Sequence, residues 1–150
     1  MKYFCAGVLF YVVFIMTIFA QEQIEYRHLP DPVKRYFPIV YPLDKNVEIS
    51  WTLEDSLYIA RFLDENYPVE VLLKENGFWV NTFLEIQYEY APSSVKEHIS
   101  MNYAGFHPEK CLISNNPFNE RYYIVKLIPP DGTSASQTVY FTLDGKFAEK

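Results

Sequence analysis

Alternation of apolar and polar side chains is clearest between residues 46 and 53. Val47, Ile49, Trp51 and Leu53 fall on one side there, and Asn46, Glu48, Ser50 and Thr52 on the other. This period of two is that of a half-buried strand. Residues 57–63, 69–74 and about 78–87 continue as strands, separated by the polar turns 54–56 and 64–68 and by Asn76-Gly77, a pair that tolerates the positive φ of a tight hairpin. The alternation returns in 110–114, 121–128 and 137–143, closed by Asp144-Gly145, with 146–150 left for a last strand. Ahead of each set of strands the apolar spacing becomes helical. Pro92 opens a segment with Val95, Ile99 and 101–103, and Pro30-Asp31-Pro32 opens one with Val33, Tyr36 and Phe37. Pro38 is expected to end or kink the first helix early, since its ring clashes with the preceding turn and it has no N–H to donate. Residues 115–120 and 129–136 read as turn-rich or flexible connections.

The pattern is stated nearly twice. Leu29-Pro30, Val33-Lys34 and Tyr41 return as Ala91-Pro92, Val95-Lys96 and Tyr103, 62 residues later, and Tyr58, Phe62, Val71 and Gly77 return as Tyr123, Leu127, Val139 and Gly145 at spacings up to 68. Each copy must bury the same face in the same way. The expected inward set is therefore Val33, Trp51, Tyr58, Phe62 and Val71, matched by Val95, Ile113, Tyr123, Leu127 and Val139.

The first twenty residues stand apart from this pattern. Lys2 precedes an almost wholly apolar run that stops at Ala20, and Gln21-Glu22-Gln23 follows, which reads as a secretory leader cleaved after Ala20. The run also approaches membrane-spanning length, so an uncleaved anchor is the alternative. Without Lys2 the chain keeps 12 basic and 19 acidic residues, net −7. With no Lys/Arg cluster, this balance argues against nucleic acid and against anionic membranes as partners. Cys5 leaves with the leader, and Cys111 remains as a lone thiol, either buried or reactive; its strand-like surroundings favour a small core residue.

Catalytic and metal chemistry find little support. His28, His98 and His107 lack the paired spacings of a transition-metal site, no Gly-x-Ser-x-Gly elbow occurs, and glycine is too scattered for a phosphate loop. A carboxylate pair such as Glu85 and Glu89, or Cys111 with His98 or His107, can be drawn, but nothing in the spacing brings either together. No enzyme activity, cofactor or metal is expected.

The repeated opening Leu-Pro-x-x-Val-Lys … Tyr-Pro (Leu29, Pro30, Val33, Lys34, Tyr41, Pro42), then Tyr58 and Gly77-x-Trp79, resembles the β-lactamase-inhibitor-like, PepSY-like family of exported bacterial proteins. In the second copy the matching residues are Pro92, Val95, Lys96, Tyr103, Tyr123, Asp144, Gly145 and Phe147. The resemblance implies an α+β fold of two tandem repeats, each a short helix followed by a three- to four-stranded antiparallel sheet, broadly like the β-lactamase inhibitory protein. The expected division is 1–20 leader, 21–90 first repeat and 91–150 second repeat, packed as one unit.

Parity nominates a site. With Tyr58, Ala60 and Phe62 inward, Ile59 and Arg61 point outward, as do Ile124 and Lys126; Trp79, Asn81 and Phe83 share one face, and so do Tyr122 and Tyr140. Aromatics beside single charges are the mixture enriched at protein interfaces. Arg61, Trp79, Phe83, Tyr122, Lys126 and Tyr140 are therefore the candidate binding residues, unless a second sheet or a loop covers them. The expected role is that of a periplasmic or secreted, non-catalytic binding protein. Its partner would be a protein or peptide of the cell envelope, a hydrolase to be inhibited being one case, with no membrane association after leader cleavage. The alternative is a structural or small-ligand-binding protein with an apolar cavity between helix and sheet.

Overall fold

The computed structural model describes residues 22–43, 46–131 and 135–148. The expected leader with Cys5, the middle of the 129–136 loop and the final two residues of the expected last strand lie outside these. The chain runs through β1 (Glu22–Gln23), a 3-10 turn (Tyr26–His28), α1 (Asp31–Val40), β2 (Ser50–Glu54), β3 (Leu57–Asp64), β4 (Tyr67–Lys74) and β5 (Trp79–Ile86). A second 3-10 turn (Tyr88–Tyr90) then leads to α2 (Ser93–Asn102), β6 (His107–Asn115), β7 (Arg121–Ile128), β8 (Gln137–Thr142) and β9 (Phe147–Ala148). The fold is α+β: among the described residues nine strands form one antiparallel sheet in chain order, and both helices pack on the same face of it.

The Pro-x-x-Val-Lys segments show why each helix begins where it does. Pro30 and Pro92 sit just before the helices in extended conformation, and Leu29 and Ala91 before them are buried. Val33 and Val95 are completely buried one turn in. The lysine that follows reaches back: Lys34 Nζ donates to the carbonyl of Arg27 and Lys96 Nζ to that of Glu89, both at 3.0 Å. Each ammonium thereby fastens the preceding 3-10 turn to the helix that follows it. Pro38 does not shorten α1, contrary to expectation; both helices have ten residues. The proline falls in the last turn, where it removes a single ladder bond. Burial of Val33 and Phe37 holds that turn in place, and the Tyr41 N–H still reaches the Phe37 carbonyl at 2.9 Å.

Two hydrophobic clusters fill the space between helices and sheet. One joins Val33 and Phe37 to Trp51, Phe62, Val71 and Leu73, with Phe37 edge-on to Trp51 (5.0 Å) and Tyr41 edge-on to Phe62 (5.1 Å). The other joins Val95 and Ile99 to Cys111, Val125, Leu127 and Phe141. Of the expected inward set, Tyr58 and Tyr123 are partly buried against these clusters, and seven others are buried. Ile113 is the exception. Trp51 pairs with Ala60 and Cys111 pairs with Val125, so Cys111 takes the place corresponding to Trp51 and Ile113 lies further along, partly exposed. The path from the helix to this position is two residues shorter in the second half, between Asn102 and Cys111, than between Val40 and Trp51 in the first.

Two hairpins use the glycines the sequence marked. Gly77 N–H bonds the Lys74 carbonyl and Gly145 N–H that of Thr142, both at 2.8 Å. Both glycines have φ near +80°, and a Cβ would collide with Tyr36 and Pro32 at Gly77 and with Ser94 at Gly145. Each turn thus rests directly on the first turns of its helix, which only glycine permits.

Candidate binding face

The sheet face turned away from the helices is set by ladder parity. On β3 and β4 it carries Ile59, which is itself buried, with Arg61, Glu70 and Leu72; these alternate with the helix-side Ala60, Phe62, Val69 and Val71. On β6 to β8 it carries Leu112, Tyr122, Ile124, Lys126 and Tyr140, alternating with Cys111, Val125 and Val139. Among the described residues no helix lies on this face.

β5 joins the halves, and here the expected parity fails. Leu72 pairs with Asn81 but Leu73 pairs with Trp79, leaving Val80 as an extra residue. Such a bulge reverses the alternation on one side of it. Trp79 therefore belongs to the helix side, packed against the first core cluster, with its Nε1–H donating to Thr82 Oγ1 at 3.0 Å. Asn81 and Phe83 belong to the outer face. Of the six nominated residues, Arg61, Phe83, Tyr122, Lys126 and Tyr140 share that face, and Trp79 does not.

The outer face has two characters. Around Arg61 it is a closed ionic cluster: Nη1 donates to Thr52 Oγ1 (2.7 Å), Nη2 to Glu54 Oε1 (3.0 Å), and Nε lies 3.4 Å from Glu70 Oε1. Burial works against the charge on Glu54, but the hydrogen bonds from Arg61 and Thr52 and the Arg61 charge outweigh it, so its carboxyl lies below the ordinary value. Arg61 is thus occupied within the sheet. Toward β6–β8 the face becomes apolar. Phe83 lies opposite Ser114, Ser114 opposite Tyr122, Leu112 opposite Ile124, and Ile124 opposite Tyr140. All four aromatic and aliphatic neighbours of Leu112 in this group are half-buried. Ion pairs border the patch, Lys110 with Glu85 at 3.1 Å and Lys126 with Glu109 at 2.6 Å. A pocket of about 160 Å³ opens where the two characters meet, lined by Pro68, Glu70, Phe83, Glu85, Lys110 and Leu112.

Glu70, Glu85, Lys110 and Leu112 were missed in the sequence. Leu112 was within reach, because Cys111 inward sends its neighbour outward. The acidic residues needed the strand register, which alternation does not supply.

Comparison with known proteins was informative at the level of structure. No protein-family model matches the chain, and no curated protein matches it. Among solved structures it is similar to a DUF2874 family protein from Bacteroides uniformis, with a TM-score of 0.68 and 19% identity over 80% of this chain and 86% of that one. It is similar also to a BLIP-like protein from Bacteroides fragilis, with a TM-score of 0.65 and 19% identity over 81% and 84% of the two chains. The fold is BLIP-like. A candidate periplasmic protein from Bacteroides eggerthii shares it as well, with a TM-score of 0.67 and 15% identity over 81% and 87%. At these identities the likeness is one of fold.

Of the groups weighed for chemistry, Glu85, Glu89 and Cys111 border one pocket of about 390 Å³. Cys111 is 2% exposed, and burial pushes its thiol up to about 11, so it is protonated and shielded at neutral pH. The ring contacts of His98 are with Tyr103, Phe141 and Phe147. Among the described residues, no group of three or more His, Cys, Asp or Glu side chains is placed to hold a metal ion, and no helix is long and apolar enough to cross a membrane.

Proposed function

We propose that this chain is an exported, non-catalytic binding protein that captures a protein or peptide of the cell envelope on the outer face of its sheet. The observation that carries the reading is the apolar group Phe83, Leu112, Tyr122, Ile124 and Tyr140, set together on the face opposite the helices and bordered by the Lys110–Glu85 and Lys126–Glu109 pairs. A one-sided antiparallel sheet ordinarily turns polar residues outward. Aromatic anchors inside a charged rim are instead the composition of an interface centre.

Export rests on the leader pattern in 1–20, and the candidate periplasmic neighbour is in keeping with it. The kinship to a BLIP-like protein makes a hydrolase the first partner class to test. We also read the two halves as copies of one helix-and-sheet unit within the PepSY-like pattern. The paired Lys34–Arg27 and Lys96–Glu89 bonds and the paired glycine turns support this.

Capture from the native envelope tests the function. Immobilised protein should retain a partner that Leu112→Arg protein, with a charge placed in the middle of the patch, does not. If both retain the same partner equally, the outer face is not its site.

A further inference from the structure

The small pocket of the outer face opens where the ladder between β4 and β5 parts. That ladder ends at Val69 and Leu84, while β5 continues alongside β6 as far as Ile86 and Cys111. Pro68 stands next in β4 and has no N–H to carry the pairing on. Glu70 lies opposite Phe83, and Glu85 lies opposite Leu112. Parity thus sets two carboxylates, a ring and a leucine around one opening, which Pro68 and Lys110 complete. At about 160 Å³ it is smaller than the roughly 300–1,000 Å³ of small-molecule sites and suits a single side chain.

Charge decides which side chain that is. Lys110 is matched by Glu85 at 3.1 Å, so this pair adds no net charge. Glu70 is matched only in part, because it shares Arg61 with Glu54. The Arg61 Nη groups donate to Thr52 and Glu54, and the Nε contact with Glu70, at 3.4 Å, is longer than an ordinary hydrogen bond. Among the described residues no hydrogen bond ends on the Glu70 carboxylate, although it is partly buried. One guanidinium between two carboxylates leaves a negative charge at the pocket.

We propose that this pocket receives an arginine side chain of the partner, an inference that rests on the reading of the outer face as the capture surface. The aliphatic stem lies along Pro68 and Leu112, and the guanidinium stacks on Phe83. Its N–H fork gives Glu70 the hydrogen bonds that Arg61 does not supply. Lysine suits the site less, since an ammonium neither stacks nor forks. The balance of the whole chain, 19 acidic against 13 basic residues, favours a basic segment in the same sense.

Titrating the isotope-labelled protein with acetyl-Leu-Arg-Leu-amide, and separately with the same peptide carrying citrulline, tests the proposal by NMR. Citrulline keeps the shape of arginine and lacks its charge. The arginine peptide should move the Phe83, Glu85 and Leu112 amides saturably and bind roughly three- to tenfold more tightly than the citrulline peptide. Glu70→Gln should erase that preference, and Lys110→Gln, which releases Glu85, should enlarge it. Leu112→Arg should abolish binding of both peptides. Equal binding of the two peptides with shifts still at Phe83 and Leu112, or a preference that survives Glu70→Gln, would overturn the arginine pocket and leave the outer face standing. Shifts confined to the helix side, or none, would overturn the pocket as well, and envelope capture with Leu112→Arg then decides the face separately.

Discussion

Trp79 and Asn81 stand on opposite faces of the sheet although they are two residues apart in one strand, because Val80 between them is the extra residue of a bulge. The bulge moves the only partly buried tryptophan of the hairpin from a surface role to a packing role. Trp79→Ala is accordingly expected to lower stability by about 2–4 kcal/mol, in the range of large-to-small changes against a core. Phe83→Ala, on the outer side, should cost clearly less. Chemical denaturation of the two variants in parallel checks this, and equal losses would place Phe83 in the core as well.

Leu127 is completely buried. Leu127→Ala should cost roughly 2–5 kcal/mol by leaving a cavity that its neighbours refill only in part. Ile113→Ala, at the position the sequence nominated but the sheet leaves partly exposed, should cost less than Cys111→Gly.

Alternation placed the strands well; β7 occupies the very residues expected, 121–128. It also placed the inward residues of β3, β4, β7 and β8, because a side-chain period of two survives wherever the ladder is regular. It failed where one residue was added or two removed. Nothing in Trp-Val-Asn marks Val80 as a bulge, and nothing in the shorter α2–β6 path marks Cys111 over Ile113. The ionic cluster of the outer face was illegible for another reason. Arg61 meets Glu54 and Glu70 from two different neighbouring strands, so the contact exists only once register is fixed.

The two-residue turns offer a gain in stability. Asp55 and Ser56, and likewise Glu65 and Asn66, all have positive φ, a conformation that costs an ordinary side chain about 1 kcal/mol or more and that suits Asn-Gly. Ser56→Gly and Asn66→Gly should each raise the unfolding midpoint, by about 0.5–1 kcal/mol in free energy. A lowered midpoint would mean that the side chains make contacts that outweigh the strain.

Alkaline unfolding should report two protons held by the fold, one on the partly buried Tyr41 and one on the buried Cys111. Burial, joined by the Asp64 carboxylate that accepts the Tyr41 hydroxyl at 2.5 Å, pushes Tyr41 up to about 12, and burial pushes Cys111 up to about 11. Both groups bind protons more tightly folded than unfolded, so their contribution is intact below the ordinary values of 10.0 and 9.0 and is lost as pH rises through the folded ones. Tyr41→Phe and Cys111→Ala should each flatten the fall of stability with pH above about 9. In native protein with Cys5 absent, Cys111 should resist alkylation at pH 8 and react once unfolded. Rapid native labelling would contradict its burial.

The central claim is that a partner is held on the outer face of the sheet. Hydrogen exchange with and without the captured partner tests it most directly, supported by Tyr122→Ala and Tyr140→Ala. Added protection is expected along β5 to β8 near Phe83, Leu112, Tyr122 and Tyr140, with loss of capture in the variants while their stability stays within about 1 kcal/mol of wild type. Protection confined to α1 and α2, or capture undiminished in both variants, would contradict it.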